Sequence, residues 1–342
     1  MINLLRWAAL LLLFSSAAKA EISLALLPTE PATVKSAEAS VSKTVAAATP
    51  KAAASASKVD AIALKTLADG TGSFHFPVAQ TKKTVEVFTY QPAGTDASAP
   101  LVMVIPGADR NAVTYRNDWI KVADQYHLRI VVPRLSEQDY PGSNGYMLGN
   151  LQDPKTHHRL PKSQWAFTVV NNIFDAMRKQ GITTQSQYYL FGNNGGCQFV
   201  HRMLTLLPQP EVKAAICSAA GWWTLPATDQ HWPYGLREAP IKVSSDQLAA
   251  YFAKPILIAV GANDDEPENK LQHSKQIAAQ GNNRLERAEN YFTASQQQAE
   301  LNNMPFNWHF VALPDVGQNR SNMSVYAAGE FYRFEQQQAF NP

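Results

Sequence analysis

The sequence predicts an α/β architecture: a mostly parallel central sheet with helices on both faces. Three observations predict it. Short apolar runs of buried-strand type alternate with stretches of helical spacing along residues 84–337. One of those runs passes through a glycine-rich turn straight into a helix, Gly192-Asn193-Asn194-Gly195-Gly196. And 342 residues, 45% of them hydrophobic, suffice to bury one large core or two modest ones.

Taken in order, residues 84–90 alternate apolar and polar side chains and read as an early strand. Residues 101–105 form a buried-type run ending at Pro106-Gly107, residues 112–126 have helical spacing, and 128–132 are again strand-like. The same alternation continues with a helix over 165–178 and a strand over 188–191, then a helix over 200–207 and a strand over 212–216. Strands over 256–260 and 308–313 enclose a long polar helix over 284–301, and a last helix covers 323–337. There is no internal repeat.

The N-terminus reads as a targeting signal. Arg6 supplies a positive region, residues 7–14 an apolar run, and Ala18-Lys19-Ala20 small residues at cleavage spacing. That run is far shorter than the roughly 20 residues a membrane span needs. Residues 1–20 are therefore expected to be a cleavable secretory signal, leaving no transmembrane segment and a periplasmic or secreted product. No cysteine lies near the cleavage point, which argues against a lipoprotein anchor. Residues 21–70 are rich in Ala, Ser and Thr and hold no aromatic side chain, so they read as a flexible spacer or tether. The folded domain is expected over 71–342.

With 30 basic and 28 acidic residues the net charge is only +2, and the basic residues are scattered, so nothing points to nucleic acid. Cys197 and Cys217 are the only cysteines. They read as two small buried hydrophobes, although an oxidising compartment would let them pair.

In open α/β sheets, ligands bind beyond the carboxyl ends of the strands. The turn after residues 188–191 is the most informative such place. Strand, Gly-x-Nu-x-Gly turn and helix make a nucleophile elbow, whose apex carries Ser, Cys or Asp in a hydrolase. Here the apex is Asn194.

Several further motifs occur in a specific order: Pro106-Gly107-Ala108-Asp109-Arg110-Asn111-Ala112 with Tyr115-Arg116, then Tyr140-Pro141-Gly142-Ser143, and Leu148-Gly149-Asn150. Leu190-Phe191-Gly192, Gln198-Phe199-Val200-His201-Arg202, Ala220-Gly221-Trp222 and Pro233-Tyr234-Gly235-Leu236 follow. Gly261-Ala262-Asn263-Asp264 and Pro314-Asp315-Val316-Gly317 close the series. Over residues 74–334 the chain resembles the exported α/β-hydrolases related to polyhydroxyalkanoate depolymerases and short-chain esterases.

That resemblance implies an α/β-hydrolase fold with a short cap excursion, and it assigns positions. The family's oxyanion loop falls on Gly107-Ala108, with Pro106 where His is usual. The nucleophilic Ser falls on Asn194, preceded by Asn193 and followed by Gly195. The triad acid falls on Asp264 and the triad His on Gln318. Two of three triad members are thus replaced. An amide side chain has no proton to give and is a poor nucleophile, and glutamine is no base. Losing either catalytic group alone costs on the order of a million-fold in turnover.

Other residues do not rescue the triad. Asn194-Gly195 is prone to deamidation, but an aspartyl ester would still lack an activated water. Cys197 lies inside the helix. His157 and His158 read as surface loop, His309 as strand, and His201 as a packing or hydrogen-bonding residue. Asp264-Asp265-Glu266 reads as a solvated turn more than a metal site. Asp264 without an imidazole needs another partner, Gln318 or a backbone amide. Trp222, Trp223, Trp232 and Tyr234 sit where a cap commonly covers the pocket in this fold, and they suit sugar rings, polyester segments or an apolar anchor, or else simply pack the cap.

The sequence therefore points to a pseudohydrolase that binds a small polar ligand, a carbohydrate or a protein in the former pocket. Alternatives are a weak or non-standard ester hydrolase and an interaction scaffold. No metal or organic cofactor is implied.

Overall fold

The computed structural model describes residues 66–264, 274–314, 316, 317 and 319–342. The expected signal (1–20), nearly all of the expected spacer (21–70), Asp265, Glu266 and Gln318 lie outside the described residues.

Eight strands form one sheet: β1 (Gly70–Pro77), β2 (Thr84–Gln91), β3 (Leu101–Ile105), β4 (Arg129–Arg134), β5 (Tyr188–Asn193), β6 (Val212–Ser218), β7 (Ile256–Gly261) and β8 (Trp308–Leu313). Their order is β1-β2-β4-β3-β5-β6-β7-β8. The β1–β2 and β2–β4 pairs are antiparallel, and every later pair is parallel. The helices are α1 (Ala112–Tyr126), α2 (Gly142–Gly145), α3 (Ala166–Lys179), α4 (Gly195–Leu206), α5 (Ser245–Ala253), α6 (Lys275–Ala278), α7 (Arg284–Leu301) and α8 (Arg320–Gln337).

The strand runs that read as continuously apolar are buried on both sides, as expected for a parallel sheet covered by helices. In β3, Leu101, Met103 and Ile105 face one core, while Val102 and Val104 face the other. The first core receives Phe167, Val170 and Phe174 of α3, Phe199 and Met203 of α4, and Tyr251 and Tyr291. The second receives Tyr115 and Trp119 of α1 and Phe331 and Phe334 of α8.

Helix ends follow local chemistry. Asn111 accepts from Thr114 N at 3.2 Å to start α1, and His127, at φ 53°, ends it by donating its N–H to Ala123 O. Asn319 accepts from both Ser321 N and Asn322 N to start α8, three residues ahead of the start at Met323 expected from spacing.

Three expectations need correction. Leu67 is buried and β1 begins at Gly70, so packed structure includes residues ahead of the expected start at 71. In β1 only Phe74 and Phe76 turn inward and the rest is polar, glycine or the terminal Pro77, which hid this edge strand. The helix read over 200–207, and taken to hold Cys197, starts at Gly195, because the glycine-rich turn is itself its first turn. Cys197 and Cys217 do not remain separate hydrophobes. They form a disulfide, S–S 2.00 Å, because pairing of β5 with β6 sets the first turn of α4 beside Cys217.

Candidate functional site

The parallel register brings the strand ends into one row. Ile105 pairs with Gly192, Asn193 with Ser218, Ser218 with Ala259, and Gly261 with Leu313. Loops leaving these ends meet above the sheet.

At the centre of the row, β5 turns sharply into α4 through Asn194, which adopts φ 55°, ψ −117°. A non-glycine residue there costs on the order of 1–3 kcal/mol and persists only where its surroundings hold it. Asn194 N–H donates to Ser218 O at 2.9 Å, and its carbonyl accepts from Gln198 N at 3.2 Å. Neighbouring backbone packs tightly on the turn. A Cβ on Gly196 would lie 2.1 Å from Ile105 O, and one on Gly195 would lie 2.6 Å from Ala108 N. The turn is thus a nucleophile elbow in geometry, with an amide at its apex.

Asn193 is buried beneath it. Its Nδ2 donates to Ser218 Oγ at 3.1 Å, and its Oδ1 accepts from Tyr115 O–H at 3.5 Å. Burial, reinforced by the charge of Asp109, pushes the Tyr115 phenol up to about 12, so it remains a donor at neutral pH.

A cavity of about 430 Å³ opens over the apex, walled by Gly107, Ala108, Asp109, Tyr115, Asn193, Asn194, Asn319, Arg320 and Ser321. The expected oxyanion loop, Gly107-Ala108, and the two asparagines are therefore together. The amides of Ala108 and Gly195, the positions that supply oxyanion donors after such an elbow, donate to no backbone acceptor among the described residues.

The acid turn follows β7. Asn263 N–H donates to Val316 O at 3.1 Å, which ties this turn to the one that precedes position 318. Asp264 is 4% exposed and does not line the cavity. Arg284, the first residue of α7, brings Nη1 to 4.0 Å from Asp264 Oδ1, and both side chains are buried. Gln318, expected at the triad-histidine position, lies outside the described residues, and so does its expected contact with Asp264.

Trp222, Trp223, Trp232 and Tyr234 do not line the cavity over Asn194, contrary to expectation. Their loop folds down onto α4 and α7 instead of over the apex. Trp222 packs on Tyr234 at 5.1 Å, with the Arg202 guanidinium 4.1 Å from its ring. Trp223 stacks on Tyr291 at 4.2 Å, and the side-chain amide of Gln280 bonds both its backbone N–H and its carbonyl. Trp232 is partly buried against the first core. Trp223 also borders a separate cavity of about 180 Å³ beside α7.

His201 packs and bonds as expected. Its Nε2 accepts from Thr224 N at 3.0 Å, so Nδ1 carries the proton and donates to Cys197 O at 2.9 Å. The donor-type atoms of Cys197, His201 and Cys217 lie within 4.8 Å of one another, but the sulfurs bond each other and both ring nitrogens are engaged. This group is no metal site.

No protein-family model matches the chain, and no curated protein matches it. Solved structures do. Poly(aspartic acid) hydrolase-1 from Sphingomonas sp. KT-1 is 31% identical, with TM-score 0.72 over 77% of this chain and 98% of that one. The chain belongs to the α/β-hydrolase superfamily. A poly(3-hydroxybutyrate) depolymerase from Bordetella parapertussis is 28% identical, TM-score 0.72, over 80% of this chain and 93% of that one. An S-formylglutathione hydrolase from Agrobacterium tumefaciens, 14% identical with TM-score 0.51 over 81% and 99%, shares the fold.

Within this α/β-hydrolase, sequence reasoning missed Asn319, Arg320 and Ser321 in the cavity wall and Arg284 beside Asp264. A signal for the first three was present. An Asn that can cap a helix follows position 318 directly, which places the next residues at the mouth of the cavity. Arg284 carried no such signal, since α7 reads as a polar surface helix. Among the described residues, no helix is long and apolar enough to cross a membrane.

Proposed function

We propose that this α/β-hydrolase no longer hydrolyses and instead binds a polar ligand in the cavity over Asn194. The observation that carries the reading is the elbow itself. Its strained apex, glycine packing and adjoining amides are all retained, yet the side chain delivered to the cavity is a carboxamide, Asn194. That group can donate and accept hydrogen bonds but cannot form an acyl-enzyme ester. Retained amide donors still favour a carbonyl or carboxylate oxygen, and alone they are worth on the order of a thousand-fold over water. Residual ester hydrolysis at that level is the second reading.

Export to an oxidising compartment belongs to the same proposal. It is supported by the Cys197–Cys217 disulfide, a bond that persists outside the reducing cytosol, and by the leader-like N-terminus.

The test is turnover of short- and medium-chain p-nitrophenyl esters by the purified mature protein beside Asn194→Ala. No turnover above buffer in either supports the proposal. Hydrolysis by the wild type that Asn194→Ala removes overturns it and makes Asn194, or its deamidated form, catalytic. Loss of ligand-induced thermal stabilisation in Asn194→Trp separates pocket binding from a scaffold role, in which that variant is harmless.

A further inference from the structure

One cation in the cavity wall has its geometry set by the protein alone. Arg320 is the first residue of α8. Its Nε donates to Asp118 Oδ2, and its guanidinium carbon lies 5.3 Å from the centre of the Tyr115 ring. The side chain is 36% exposed, and its two Nη nitrogens make no hydrogen bond among the described residues. A guanidinium tethered through Nε and laid over an aromatic ring keeps its remaining N–H groups in one plane for an outside acceptor. A carboxylate matches such a planar group better than any neutral oxygen does.

Resting on the reading that this cavity binds rather than cleaves, we infer that Arg320 recognises a carboxylate on the ligand, and that the ligand is a peptide-type carboxylate. The rest of the wall narrows the chemistry to that class. The amide of Ala108 offers a donor to a carbonyl oxygen, and Asn194 offers both a donor and an acceptor. Asp109 offers only acceptors, so it favours an N–H and repels a second negative charge. A carboxylate with an amide carbonyl and an amide N–H close by satisfies all of these groups together. Of the residues lining the wall, Ala108 and Tyr115 carry the apolar side chain and the ring, and the other side chains are polar or absent.

The experiment compares N-acetyl-dialanine, as the free acid, with its C-terminal primary amide. Binding is followed by calorimetry and thermal shift on the wild type, Arg320→Gln, Arg320→Lys and Asn194→Trp. The acid is expected to bind the wild type more tightly than the amide by about tenfold or more, the usual worth of a charge-assisted hydrogen bond. Arg320→Gln loses the acid's advantage over the amide, and Arg320→Lys, a point charge without the planar group, falls between. Ligand-free melting temperatures show whether each variant is folded, and Arg320→Lys keeps the comparison usable if Arg320→Gln is not. Equal binding of acid and amide, or acid binding untouched by Arg320→Gln, overturns the carboxylate assignment, while sensitivity to Asn194→Trp still upholds pocket binding. Failure of both peptides to bind at millimolar concentration overturns the peptide-type assignment. Ester turnover that depends on Asn194 is a different failure, that of the non-catalytic reading itself.

Discussion

Arg284 Nη1 lies 4.0 Å from Asp264 Oδ1, with both side chains withdrawn from solvent. In a working triad the acid orients an imidazole and stabilises its charge. Here the acid's position has a permanent cation within ion-pair range, supplied by the start of α7. Asp264 is thereby held against a cation of the fold. Arg284→Leu, which removes a cation from beside a buried carboxylate, is expected to lower stability by about 3 kcal/mol. Adding Asp264→Asn should recover part of that loss, because the two sites share an interaction. Urea unfolding of the single and double variants measures both, and an Arg284→Leu midpoint equal to wild type refutes the pairing.

The disulfide closes a loop of sequence separation 20. Constraint of the unfolded chain by a loop of that length is worth about 3 kcal/mol. The Cys197→Ala, Cys217→Ala double variant should lose roughly that amount in urea. Both cysteines are buried, so thiol titration of the wild type should find no free sulfhydryl before reduction and two after reduction in denaturant.

Gly196 has no room for a side chain, since a Cβ would meet Ile105 O at 2.1 Å and Pro106 O at 2.7 Å. Both obstacles are backbone, which a rotamer change cannot relieve. Gly196→Ala should cost about 3 kcal/mol or prevent soluble expression. A melting temperature unchanged from wild type would show that the elbow is looser than its packing implies.

Burial, with the charge of Arg202 behind it, holds the His201 imidazole well below its usual range. The unfolded chain therefore binds this proton near about pH 6.5 while the folded protein does not. Stability from neutral His201 is fully present above that pH and falls as the solution is acidified towards the folded value, by up to about 1.4 kcal/mol per pH unit. His201→Gln can keep a donor for Cys197 O and an acceptor for Thr224 N without titrating. Its urea midpoint should fall less than that of wild type between about pH 7 and about pH 5.

Most of the fold was legible because its signals are local. Apolar runs such as Leu101–Ile105 and helical spacing such as that of Ala112–Tyr126 report burial directly, and the elbow showed itself in Gly192, Gly195 and Gly196 with an amide between them. β1 escaped notice because an edge strand needs only two inward side chains, Phe74 and Phe76. The aromatic residues were legible as a cluster but not as to where they point. Trp223 is committed to Tyr291 by a contact between residues 68 positions apart in the chain, and no local pattern records such a choice.

The sequence by itself determined the architecture, the position of the elbow and the carboxamide at its apex, since each is written in residue type and short-range order. Tertiary structure alone decided that Cys197 reaches Cys217, that Arg284 stands beside Asp264, and that Arg320 rather than the tryptophans walls the cavity. Those outcomes depend on which strand ends lie side by side and on how α7 and α8 enter the row above them. Pairing of distant segments sets such distances, and the chemistry of a single stretch of chain does not contain them.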